Sequence, residues 1–144
     1  MNLELLFSIC SSVAAVGWVL LVFVPRKRWS STIVAGRAIP LLLSVAYLFL
    51  IATHWGDRTG GGGSLNEVAK LFSNPFLLLA GWIHYLAFDL YVGAWEVRDA
   101  IQNDMSHWIV VPCLVLTFLF GPIGLLSYFG VRTIGKRLSS IKKL

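Results

Sequence analysis

Apolar residues run almost unbroken through four stretches of the chain, about residues 3–24, 38–53, 76–95 and 107–131, and polar residues collect between them. A helix rises about 1.5 Å per residue, so roughly 20 apolar residues cross the ~30 Å hydrocarbon core of a bilayer. The pattern therefore predicts an all-α, integral membrane four-helix bundle, a single membrane domain over residues 1–144. The first stretch is not a typical signal peptide: Glu4 stands where a basic region belongs, and the run is too long. Pro25 ends it, and Arg26, Lys27 and Arg28 follow. The second carries Pro40 near its start, where a missing N–H is tolerated, and closes at His54 and Trp55.

The connections have their own signatures. Gly60 to Gly63 and Ser64 make residues 56–64 a flexible loop; no Gly-Lys-Ser/Thr follows the glycines, so a phosphate cradle is not expected. Leu65, Val68, Ala69 and Phe72 share one helical face, which predicts a short amphipathic helix at the membrane surface. Ser73-Asn74-Pro75 supplies a cap and a first-turn proline, so the third long helix should start at Pro75. Residues 96–106 then read as a loop holding Arg98, Asp99 and Asp104. In the fourth stretch Pro122 lacks an N–H and frees the carbonyl of Phe118, which predicts a bend near Gly121-Pro122. Residues 132–144 form a basic tail with Arg132, Lys136, Arg137, Lys142 and Lys143.

Composition agrees with the pattern. Apolar types make up 57% of the 144 residues and charged types 13%, about half the ~25% of an ordinary soluble domain. The net charge of +5 does not point to nucleic acid, because the basic residues cluster beside apolar runs as membrane flanks do. Cys10 and Cys113 lie inside apolar runs at depths about 15 Å apart and should not pair.

The polar residues within the stretches carry the candidate chemistry. Asp89 stands near the middle of the third; a carboxylate there costs at least ~2.5 kcal/mol on insertion scales, which marks it as a candidate functional group. Arg37 falls within about 6 Å of it in depth, so a structural ion pair is the competing expectation. His84 points ~140° away from Asp89 on a regular helix. The two flank a common inward face formed by Gly81, Tyr85, Phe88 and Val92, while Trp82 and Tyr85 share the stripe of Asp89. Thr117 lies at the depth of Asp89 on the fourth stretch. His54, His84 and His107 sit at three different depths, so neither a metal cluster nor a haem is expected.

Two strings carry a resemblance. Gly81-Trp82-Ile83-His84-Tyr85-Leu86-Ala87-Phe88-Asp89-Leu90, continued by Val92-Gly93, Trp95 and Arg98-Asp99, is one. Val111-Pro112-Cys113-Leu114 running into Leu116-Thr117-Phe118-Leu119-Phe120-Gly121-Pro122-Ile123-Gly124 is the other. Together they resemble the core of the abscisic acid-deficient-four-like membrane family, strongly over residues 75–131 and only in order and hydropathy over the first two stretches. Plant members of that family take part in making neoxanthin from violaxanthin. The resemblance implies a four-span membrane protein and, since no plastid transit peptide precedes the first stretch, a bacterial member in the plasma membrane.

If the plant chemistry is shared, the reaction is an isomerisation of a carotenoid or terpenoid epoxide that needs an acid and a base but no redox cofactor. Asp89 is then the candidate acid and His84 the candidate base, with Trp82, Tyr85, Phe88 and Thr117 lining the substrate. Membrane lipid, a carotenoid or other isoprenoid, and a second copy or another membrane protein are the expected partners. The alternative is a non-catalytic carotenoid- or quinone-binding, or assembly, subunit of a membrane complex.

Overall fold

The computed structural model describes residues 2–25, 27 and 29–141, with side chains as far as Gly135. Arg26, Arg28, Lys142 and Lys143 lie outside the described residues, as do the side chains of Lys136 and Arg137. Among the described residues there are helices and no strands. The expected four-helix bundle becomes a six-helix one, in which three helices are long and apolar enough to cross a membrane.

Helix α1 spans Leu3–Phe23, capped by the Asn2 side chain on the Leu5 N–H at 3.2 Å. Helix α2 covers Trp29–Asp57, longer than the expected 38–53. It opens in wide π-type turns over Trp29–Ala38, continues as an α-helix over Ile39–His54 and tightens at Trp55–Asp57. The surface helix α3, Leu65–Leu71, follows the glycine loop, with Ser64 capping the Glu67 N–H at 3.2 Å. Helix α4 starts at Pro75, where Asn74 Oδ1 accepts from the Phe76 N–H at 2.9 Å.

α4 runs to Gln102, not to residue 95. Nothing at Trp95 or Glu96 breaks a helix; the stop comes at Asn103-Asp104. Asp104 adopts φ +52°, a left-handed conformation that Asp and Asn tolerate best, and the Met105 N–H reaches back to the Ala100 carbonyl at 2.9 Å. Glu96, Arg98 and Asp99 are thus helical residues, not loop residues.

The fourth expected span is broken. Helix α5, His107–Phe120, has 14 residues and is about 21 Å long, too short to cross. Gly121 takes φ +42° and ψ −91°, Pro122 cannot continue the ladder, and α6, Pro122–Ile141, starts afresh. The turn is a reversal and not the expected bend. Tyr128 and Arg132 of α6 return to Asp99 near the α4 C-terminus, while Gly121 at the tip lies against Asp89 in mid-α4. α5 and α6 therefore form a helical hairpin that covers the C-terminal half of α4 only.

α4 is the central element, with α2 on one side, α1 on another and the hairpin on a third. Its contact with α1 depends on two glycines. A Cβ on Gly17 would lie 2.6 Å from Leu90 Cδ2, and one on Gly93 would lie 2.6 Å from Trp18 Cη2. Each helix takes a large side chain of the other into a glycine notch, the close approach that small residues permit between helices in lipid. His107 fixes the base of the hairpin to α1 by donating from Nε2 to the Val22 carbonyl at 2.9 Å.

Candidate functional site under the hairpin tip

Tyr85, Asp89, Glu96 and Asp99 follow one another on α4 at intervals of four, seven and three residues, which places them on one stripe of a helix. The hairpin packs against that stripe and supplies it with donors. Asp99, deepest in polar contacts, accepts from the Tyr128 hydroxyl at 2.6 Å and from Arg132 Nη2 at 2.9 Å, with Arg132 Nε 2.7 Å from its Oδ2. Glu96 is fully buried; Thr117 Oγ1 stands 3.0 and 3.2 Å from its two carboxylate oxygens. The same hydroxyl lies 3.0 Å from the Cys113 carbonyl, so its single proton serves one acceptor at a time.

Asp89 meets the tip itself. A Cβ on Gly121 would lie 2.9 Å from Asp89 Oδ1 and 3.1 Å from Oδ2, so only glycine lets the turn rest on this carboxylate. Oδ2 is buried and has no hydrogen-bond partner among the described residues. The Tyr85 hydroxyl, one turn away and within electrostatic reach of Asp89, donates to the Phe118 carbonyl at 3.1 Å. Asp89 and Arg37 form no ion pair; Arg37 lies in a groove on the α2 side of α4.

Because the hairpin stops at mid-α4, an open groove of about 500 Å³ remains between α1, α4 and the end of α5. Ser11, Ser12, Trp82, Tyr85, Phe118 and Leu119 line it. The Trp82 indole N–H donates to Ser11 Oγ at 3.1 Å, and its ring lies 5.5 Å from those of Phe7 and Tyr85. The groove is aromatic and apolar, with a few hydroxyls; Asp89 lies one turn of α4 from its Tyr85, against Gly121.

The expected site residues are divided by this arrangement. Trp82, Tyr85 and Asp89 gather at the groove and the tip. Thr117 is fully buried and bound to Glu96, so it holds the hairpin and does not line the groove. His84 faces α2, its ring stacked on Phe88 at 4.5 Å and 5.8 Å from that of Tyr47. Phe88 is 58% exposed and does not face inward as expected. His84 and Asp89, the candidate base and acid, are not brought together. His54 stacks on Phe76 at 3.8 Å and His107 bonds α1, so the three histidines serve three separate places.

The model of the family described as ABA DEFICIENT 4-like matches residues 5–128. The chain belongs to the ABA4-like family. The match takes in α1 and α2 as well as the two strings on α4 and α5, and it ends on Tyr128, the hydroxyl donor to Asp99. No curated protein and no solved structure matches the chain. Membership and the apolar helices together make this ABA4-like chain a membrane protein.

A loop over residues 96–106 would leave Glu96 and Asp99 on no helical face, and Tyr128 and Arg132 without the carboxylate they meet. The signal was present: Glu96 lies seven residues after Asp89, on the same face, and no helix stop precedes Asn103-Asp104.

Proposed function

We propose that this ABA4-like chain is a multi-pass protein, expected in a bacterial plasma membrane, that binds an isoprenoid of the carotenoid class in the groove below the hairpin tip and opens an epoxide on it. The observation that carries the reading is Asp89, whose buried Oδ2 has no hydrogen-bond partner among the described residues, beside an aromatic groove. In this reading the Asp89 carboxylic acid gives its proton to an epoxide oxygen as the C–O bond breaks. A base then takes a proton from the adjacent carbon, so that substrate and product are isomers and no redox partner is consumed. A long polyene suits a groove that opens to hydrocarbon, with Trp82 and Tyr85 against its chain.

One observation favours the second reading, a carotenoid- or quinone-binding subunit without turnover. His84 faces α2, so the groove lacks the histidine base that the reaction was expected to use. The experiment is to purify the protein from a carotenoid-producing host, extract the bound pigment, and follow violaxanthin by chromatography with the wild type and Asp89→Asn. Isomerised product with the wild type and none with a folded, membrane-inserted Asp89→Asn supports the enzyme. Bound pigment without turnover in either supports the binding subunit. Full turnover in Asp89→Asn removes Asp89 as the acid.

A further inference from the structure

A second groove, of about 410 Å³, lies on the other side of α4, between it and α2. Arg37, Pro40, Leu41, Ser44, Phe88 and Tyr91 line it. Two guanidinium groups gather at its head. Arg37 is exposed in the groove wall, within electrostatic reach of Arg98. Arg98 sits 5.9 Å over the Tyr91 ring and donates from Nη1 to the Ser31 carbonyl at 2.8 Å. That carbonyl belongs to the π-type opening of α2, and Arg98 fills the space that a side chain at Gly36 would need. π-type turns occur frequently at functional sites.

Neither arginine has an acidic partner among the described residues; the ion pairs there are Lys70–Glu67 and Arg132–Asp99. Like charges held together without a counter-charge are unfavourable, and more so toward hydrocarbon, unless an anion joins them. The place fits the level of lipid headgroups. Arg98 is four residues, about 6 Å, from the end of α4, and Arg37 lies at the end of the opening segment of α2. From there the groove runs inward along both helices, to Ser44 on α2 and Phe88 on α4. Its walls face outward: Leu41 is 65% exposed and Tyr91 50%.

We propose that this groove binds one anionic phospholipid, with the phosphodiester between Arg37 and Arg98 and an acyl chain along Pro40, Leu41, Ser44 and Phe88. Charge complementarity selects an anionic headgroup. Lateral opening toward hydrocarbon selects a bilayer lipid and not a soluble phosphate. The planar guanidinium fork suits the several acceptor oxygens of a phosphate. The site is separate from the groove under the hairpin and does not depend on any turnover there.

The test uses the full chain in neutral detergent, with phosphatidylglycerol, phosphatidylcholine and inorganic phosphate as probes, and reads lipid retention by native mass spectrometry together with Tm. Phosphatidylglycerol is expected to be retained and to raise Tm above the value with phosphatidylcholine. Arg37→Gln, at an exposed residue, should weaken its retention about tenfold, and Arg37→Lys should restore part of it. Lys27→Gln, a change at an exposed cation outside the groove, should leave retention unchanged. Arg98→Gln should abolish retention if it folds; Arg37→Gln decides the matter if it does not. Equal retention by wild type and Arg37→Gln would overturn the proposal. So would equal stabilisation by inorganic phosphate, or equal losses in Lys27→Gln and Arg37→Gln.

Discussion

The Tyr85 hydroxyl donates to the Phe118 carbonyl at 3.1 Å, and Phe118 is the residue whose carbonyl Pro122 leaves without a helical donor. One side chain of α4 thus satisfies the backbone group that the break in the hairpin exposes. In lipid, where no water takes up a stray carbonyl, this bond is part of what makes the reversal possible.

Tyr85→Phe should therefore loosen the tip with little change elsewhere. Hydrogen bonds between membrane helices contribute about 0.6–1 kcal/mol each. A loss of that size is expected in thermal unfolding of the detergent-solubilised protein, together with faster hydrogen exchange confined to residues around Phe118 and Gly121.

Gly121→Ala should be more severe. Its backbone is left-handed, about 1–2 kcal/mol for a residue with a Cβ, and the new methyl meets the Asp89 carboxylate. Combining it with Asp89→Ala should recover the steric part and leave the backbone part. A double mutant as unstable as the sum of the singles would contradict the contact.

Glu96 separates shape from chemistry. Glu96→Gln keeps the volume and an acceptor for Thr117, and unfolding should change by less than about 1 kcal/mol. Glu96→Ala removes a fully buried side chain and strands the Thr117 hydroxyl, and should cost about 2–4 kcal/mol.

Arg132→Met leaves Asp99 with only the Tyr128 hydroxyl. The pair is partly exposed, the side chains being 27% and 11% accessible, so a loss of about 2 kcal/mol is expected rather than the 3–5 of a fully buried pair. Adding Asp99→Asn should restore most of it, as removal of both charges does in buried pairs.

Much of this was legible in the chain. Length and hydropathy located α1, the apolar part of α2 and the start of α4 at Pro75, and Pro122 marked the carbonyl of Phe118. Two features were hidden for a physical reason. Hydropathy measures preference for lipid, and a helical hairpin that packs one face on α4 and leaves its other apolar side chains exposed is as apolar as a crossing helix, so residues 107–131 have the pattern of one span. A carboxylate and an arginine near a helix end look like the start of a loop; only their partners on α6, Tyr128 and Arg132, reveal Glu96 and Asp99 as parts of a packed face.

The hairpin also bears on sidedness. In the proposed multi-pass topology three helices cross and the last pair turns back, so the α1–α2 connection, the α4–α5 connection and α6 emerge on one face. Of the Lys and Arg residues with described side chains, Lys27, Arg37, Arg98 and Arg132 then lie toward that face and Arg58 and Lys70 away from it. A complete fourth crossing would have divided them almost evenly and left no preference. Lys and Arg are retained in the cytoplasm during insertion, so the proposed topology predicts α6 inside the cell and the glycine loop outside. A cysteine placed at Gly62 should react with an impermeant maleimide on intact cells, and one at Asp104 only after the membrane is opened.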